Sequence, residues 1–162
     1  MQLAQIAKIV TCVAAIDTGG VARLGAHVNM SKYDHVAFII SIGAIGNACT
    51  VTVLAGTNSL GAGGVAMGYS YYLSTGGAPL VGEVASALVT VAAAGYALAA
   101  ATDDNETMVI EVDAAELVSP LTNYYVGVNL SNAAACLASV IAVCMWPRYA
   151  AAPALMPSAI VA

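Results

Sequence analysis

The sequence predicts an all-β protein: an antiparallel β-sandwich or jelly-roll-like domain with extended terminal arms. Three observations carry this. Short runs rich in β-branched residues recur along the chain. Gly, Asn and Asp punctuate them at short intervals, as at Gly19-Gly20, Gly46-Asn47, Gly63-Gly64, Gly76-Gly77 and Asp103-Asp104-Asn105. Helix signals are weak, because the one Ala-rich segment, 84–101, contains the strand-like Leu88-Val89-Thr90-Val91. β-Branched side chains pack well on a pleated surface, and Gly, Asn and Asp accept the dihedrals of tight turns.

Taken in order, residues 8–15 (KIVTCVAA) read as a strand, and 21–29 as its hairpin partner across Asp17-Thr18-Gly19-Gly20. In 33–42 (YDHVAFIISI) Ile39 breaks the alternation of Val36, Phe38, Ile40 and Ile42, which predicts a strand covered on both sides. Residues 48–54 alternate Cys49, Val51 and Val53 against Thr50, Thr52 and Leu54. Gly61-Ala62-Gly63-Gly64 reads as a hairpin tip, since no Lys-Ser/Thr follows to make it a phosphate loop. Residues 68–73 bring Tyr69, Tyr71 and Tyr72, and 88–91 form a strand followed by an irregular Ala/Gly segment. Met108, Ile110 and Val112 alternate with Val109, Glu111 and Asp113. One helical turn at 113–117 precedes Pro120, and strands at 124–130 and 137–144 close the series.

These elements define a β-sandwich domain over 1–145, with 1–5 as a short N-terminal arm. Residues 146–162 form an extended apolar C-terminal arm. Pro147, Pro153 and Pro157 pre-set an extended path, and Leu155, Met156 and Ile160 are too apolar to be left in water. Arg148 would anchor its exit on Asp113 or Glu116. The alternative is a tail that folds back on its own domain.

The 162 residues suit one domain. With 60% hydrophobic and 8% charged residues, the composition excludes disorder as the general state of the chain. Four Lys+Arg against nine Asp+Glu, a net charge of −5, exclude nucleic-acid binding by charge. Residues 36–82, 84–102 and 117–147 carry no charge at all. The segment 84–102 has the length of a membrane span, but Ala dominates it, polar residues interrupt it and no Lys/Arg cluster flanks it, so no membrane partner is expected. The first residues lack the basic and apolar regions of a secretory signal. A chain so poor in charge is expected to cover its surface with other protein chains.

No set of residues announces catalysis, a cofactor or a metal, so the chain reads as a non-enzyme with no cofactor. Cys12, Cys49, Cys136 and Cys144 lie in apolar runs without a C-x-x-C pair, and read as free, buried small hydrophobes. His27 and His35 read as surface or interface histidines, in the absence of a G-x-S-x-G nucleophile motif. Asp103-Asp104-Asn105-Glu106 is oxygen-rich, as calcium loops are, but lacks the Gly and Glu of an EF-hand and reads as a solvated turn. Tyr69, Tyr71, Tyr72, Tyr124 and Tyr125 suit either a subunit contact or a carbohydrate platform.

One arrangement is familiar. Ile16-Asp17-Thr18-Gly19 is followed by 30–40 (MSKYDHVAFII), Ile42-Gly43-Ala44-Ile45-Gly46, Cys49-Thr50-Val51-Thr52-Val53, 109–117 (VIEVDAAEL), Tyr125-Val126-Gly127-Val128 and Pro147-Arg148-Tyr149-Ala150. This resembles the small head decoration, or auxiliary capsid, proteins of tailed bacteriophages. The resemblance implies an oligomeric β-sandwich or jelly roll, commonly a trimer. It implies a protein made in the host cytoplasm that decorates or cements the capsid exterior of the virion, with itself and the major capsid protein as partners. It implies no catalytic residues. The contact residues expected on this reading are Trp146, Arg148, Tyr149, Leu155, Met156, Ile160, Tyr71 and Tyr72. The alternatives are a carbohydrate-binding β-sandwich module and a tail or connector structural protein.

Overall fold

The computed structural model describes residues 7–46, 49–75, 84–100, 102–117, 122–131, 136–148 and 159–160. Their regular structure is almost entirely strand: β1 (Ala7–Asp17), β2 (Arg23–Leu24), β3 (Val28–Asn29), β4 (Tyr33–Ile45), β5 (Cys49–Gly56), β6 (Val65–Met67), β7 (Tyr69–Thr75), β8 (Val84–Ala85), β9 (Val89–Val91), β10 (Tyr96–Leu98), β11 (Thr107–Asp113), β12 (Tyr125–Leu130) and β13 (Cys136–Pro147). A 3₁₀ turn at Ala114–Glu116 is the predicted helical turn.

The strands build two antiparallel sheets. The larger runs β1-β13-β4-β11-β7-β8, with β9 also on β7, and the smaller runs β10-β5-β12-β2, with β3 on β12 and β6 on β5. Their inner faces share one core. Val36, Phe38, Ile40 and Ile42 of β4, Met108, Ile110 and Val112 of β11 and Val140 and Ala142 of β13 meet Cys49, Val51 and Val53 of β5 and Val126, Val128 and Leu130 of β12. Each large side chain so buried contributes roughly 1.5–3 kcal/mol. This sandwich-like layering bears out the all-β expectation and the alternations read in β5 and β11.

Four local readings are corrected. First, β4 is covered on both sides only over His35–Phe38. Val36, Phe38, Ile40 and Ile42 point into the core, whereas on the outer face Ile39 stands 36% exposed. Secondly, 21–29 does not form a hairpin with β1. Gly19 and Gly20 turn the chain at φ 57° and 76°, and the Asp17 carboxylate accepts the Gly19 N–H at 2.9 Å. The chain then crosses to the smaller sheet, where β2 and β3 pair with β12, while β1 takes the long apolar β13 as partner. Thirdly, the segment read as irregular after 88–91 contains β10, which pairs with β5 and buries Leu98. Fourthly, β13 continues to Pro147, so Trp146 and Pro147 belong to the domain and not to an arm. Further on, Ala159 is buried, its carbonyl accepts the Asn29 N–H at 2.6 Å, and Ile160 packs against the core. These two residues fold back on their own domain. The proposed arm at 1–5 and the remainder of the tail lie outside the described residues.

The register of β1 on β13 slips twice, between Thr11 and Val13 and between Val13 and Ile16. Around Gly127 the outer face of the smaller sheet is roofed by the turn between β5 and β6. His27 lies between this turn and β12: a Cβ on Gly61 would come within 2.6 Å of its ring, and one on Gly127 within 2.4 Å.

Candidate functional site

The outer face of the larger sheet is the candidate site. Residues directly paired across antiparallel strands share a face. One row therefore reads Thr11, Ile141, Ile39, Val109 and Tyr72 from β1 to β7. The neighbouring row reads Ile9, Val143, Ala37, Glu111 and Ser70, and the next Ala7, Met145, His35 and Asp113. The face is thus apolar over β1, β13 and β4 and turns acidic over β11. Ala7, Ala37 and Val143 cluster on it with Met145 against them. Ile9, Ile39, Ile141 and Tyr72 remain open to solvent.

At the acidic side the face dips into a pocket of about 220 Å³ lined by His35, Ser70, Tyr72, Leu88, Glu111, Asp113 and Glu116. His35 is its buried hub. Its Nδ1 lies 2.6 Å from Asp113 Oδ1 and its Nε2 3.9 Å from Glu111 Oε1. The Trp146 ring packs against it at a tilt of 54°, with centroids 5.2 Å apart. Trp146 has φ 52° and is 63% exposed. Glu116 Oε2 accepts the Asp113 N–H at 3.0 Å, closing the 3₁₀ turn below the pocket. The Ser70 hydroxyl is bonded to Thr90 Oγ1 at 2.9 Å, not to the histidine. The arrangement offers carboxylate acceptors beside an apolar surface. It suits cationic or hydroxyl-bearing groups of a docked molecule. Among the described residues no group of three or more His, Cys, Asp or Glu is placed to hold a metal ion. Nor is any helix among them long and apolar enough to cross a membrane.

The expected contact residues separate. Tyr72 and Trp146 flank the pocket. Tyr71 is only 4% exposed and points into the core, where it stacks on Tyr96 at 4.8 Å, so it is not a surface contact. Arg148 does not pair with Asp113 or Glu116: its Nε pairs with Asp34 Oδ1 at 2.7 Å, and the carboxylate of Asp113 bonds His35. Ile160 is half-buried against its own domain. Tyr149, Leu155 and Met156 lie outside the described residues. Of the five-tyrosine platform, Tyr69, Tyr71 and Tyr125 are buried, leaving Tyr72 exposed and Tyr124 partly so. Tyr69 donates to the Val51 carbonyl at 2.8 Å, and burial pushes its phenol up to about 12.

The polar groups read as surface features are structural instead. His27 is fully buried, with Nδ1 2.9 Å from the Gly25 carbonyl. Desolvation lowers its pKa from the ordinary 6.5 and keeps the ring neutral. Asp103 is 2% exposed and accepts from Ala99 N at 2.8 Å and Tyr96 OH at 3.2 Å. Asp104 caps Ile45 N at 2.7 Å, and Glu106 accepts from Ser74 Oγ. The loop 103–106 is therefore a clasp holding β4, β7 and β10, not a solvated turn. The cysteines are free thiols, buried except for the partly exposed Cys12. Sequence reasoning missed the His35–Asp113–Glu111 group, since it forms only when β4 and β11 pair. Glu111 and Asp113 on the polar side of an alternating strand were its one visible trace. The sequence matches no known family model and no curated protein.

Proposed function

We propose that this chain is a virion structural protein that decorates or cements a capsid through protein–protein contacts, as a homo-oligomer on the capsid exterior. The observation that carries this reading is the outer face of the larger sheet. Its central row is Ile141, Ile39 and Val109, and its border is acidic. A contiguous apolar face with a polar rim is the anatomy of a protein-binding surface. The trimer and the major capsid protein as partner rest on the resemblance to phage decoration proteins. A tail or connector position would use the same surface. The test is sedimentation of the protein and of its Ile39→Glu/Ile141→Glu variant, followed by binding to capsids lacking the chain. Loss of self-association and of capsid binding by a still-folded variant supports the proposal. A monomeric parent protein that ignores capsids defeats it.

A second reading, a carbohydrate-binding module, is favoured by one observation. The pocket combines carboxylates with the exposed rings of Tyr72 and Trp146 near its rim. Titration with a glycan panel tests it, with Tyr72→Ala and Trp146→Ala expected to abolish any binding found.

A further inference from the structure

The pocket on the outer face of the larger sheet holds an unmet demand for a donor. His35 is only 9% exposed, and its Nδ1 lies 2.6 Å from Asp113 Oδ1. A carboxylate only accepts, so Nδ1 carries the proton and Nε2 of the neutral ring is left as an acceptor. Nε2 stands 3.9 Å from Glu111 Oε1, beyond hydrogen-bond reach, and has no hydrogen-bond partner among the described residues. Two acceptors thus stand opposite one another, on residues that line a cavity of about 220 Å³. A donor nitrogen about 2.9 Å from each fits between them.

The carboxylates of the pocket also lack a cation other than the histidine. The Glu111 and Asp113 side chains are 54% and 58% exposed, and Glu116 completes the acidic wall. Among the described residues no Lys or Arg pairs with any of the three, and Arg148 is taken by Asp34. Tyr72 and Leu88 form the apolar wall, both open to solvent. On β13 Trp146 keeps a left-handed φ of 52°, which bulky residues rarely adopt, and its ring braces the imidazole.

We propose that this pocket is a recognition site for an arginine side chain presented by a partner chain of different sequence. The proposal deepens the docking reading above and rests on it for the source of that side chain. A guanidinium is planar and rich in N–H donors, with no acceptor of its own. One of its nitrogens bridges His35 Nε2 and Glu111 Oε1, the others face the carboxylates of Asp113 and Glu116, and its plane lies along the Tyr72 ring. A lysine ammonium can bridge the two acceptors but offers no plane to the ring. A hydroxyl has one hydrogen for two acceptors and brings no charge to three carboxylates. The partner is foreign because this chain has four Lys and Arg against nine Asp and Glu, so copies of it leave one another's carboxylates unmatched.

The experiment titrates the full chain, free of capsids, with acetyl-arginine amide. The readouts are the fluorescence of Trp146, the single tryptophan, and the ring signals of His35 in NMR. Saturable binding at about 1 mM is expected, with acetyl-lysine amide about 3-fold weaker and the neutral isostere acetyl-citrulline amide about 10-fold weaker. Glu111→Gln should weaken arginine binding about 10-fold, and Tyr72→Leu about 3-fold. Both residues are exposed, and Tyr72→Leu keeps the test valid should Glu111→Gln fail to fold. A proton on His35 Nε2 in the free protein at neutral pH would overturn the proposal. So would citrulline binding as tight as arginine binding, or arginine binding that both variants leave unchanged. Arginine binding by a protein that ignores capsids defeats the capsid reading and sustains the assignment of the pocket. Capsid binding by a protein that takes up no arginine amide overturns the pocket alone.

Discussion

Around Gly127 the outer face of the smaller sheet is roofed by the chain itself, whereas the row of Ile39 and Ile141 on the larger sheet is left to solvent. On the smaller sheet the glycines make the difference. Gly127 leaves room on β12 for the His27 ring, and Gly61 closes over the other side at φ 72°. A backbone bond from His27 N to the Ser59 carbonyl, 3.0 Å, ties the roof down. On the larger sheet the outward positions of the central strands carry Ile39, Ile141, Val109 and Tyr72, which fill the surface without a cover. Two faces of one domain thus carry the same deficit of charge in different ways, one covered from within the chain and one with apolar side chains open to solvent.

Substitutions at the two faces should have opposite readouts. The largest effect is expected from Gly127→Val, whose first added carbon would sit 2.4 Å from His27 Nδ1. It should cost about 3 kcal/mol of stability, read as a lower urea midpoint. Ile39→Glu/Ile141→Glu should lower the stability of the isolated domain by about 1–2 kcal/mol, since the two carboxylates face each other across β4 and β13, and leave it folded. It should weaken association about 30-fold, or ~2 kcal/mol, in equilibrium sedimentation. If the same pair unfolds the monomer, the open face is part of the core and the contrast collapses.

Acid should act on the roofed face. His27 is lowered in the fold from 6.5 by desolvation. Its contribution is fully present above pH 6.5 and is lost as pH falls toward the folded-state value, since the unfolded chain takes up the proton first. The expected signature is a drop in thermal midpoint between pH 7 and pH 5.5 that His27→Gln flattens. The smallest effect belongs to Arg148→Ala. The Asp34 partner is 55% exposed, so the pair should contribute only about 0.5 kcal/mol, vanishing at high salt. A larger loss would mean that Arg148 holds the end of β13 and the Trp146 ring in place.

Much of the architecture was legible. The alternations in β5 and β11 name their core residues correctly, because each strand has one covered face and a period of two. The reading of β4 failed for an instructive reason. Ile39 looks like a core residue, yet it belongs to an outward apolar face, and sequence does not distinguish a side chain covered within the chain from one uncovered. The pairing of 21–29 with β1 failed because a glycine turn states that the chain reverses, not which sheet it enters. Asp103 and Glu106 looked solvated because charge near Gly and Asn is normally at the surface, and only the packed clasp reveals their backbone and hydroxyl partners. The His35 hub was illegible, since Asp113 is 78 positions away and reaches it through strand register alone.

The two slips of register along β1 bear on how this chain avoids runaway polymerisation. An outermost strand with a straight backbone is a template onto which further strands add, and soluble proteins usually block such growth with lysines or prolines. β1 has Lys8 and Asp17 near its ends and no charge between them, in eleven residues of mostly Ala, Val, Ile and Thr. Its bulges take over that duty. Each one misaligns the amides and carbonyls that a newcomer would need and adds local twist. A crowded solution of this charge-poor protein is thereby steered away from endless cross-β ribbons.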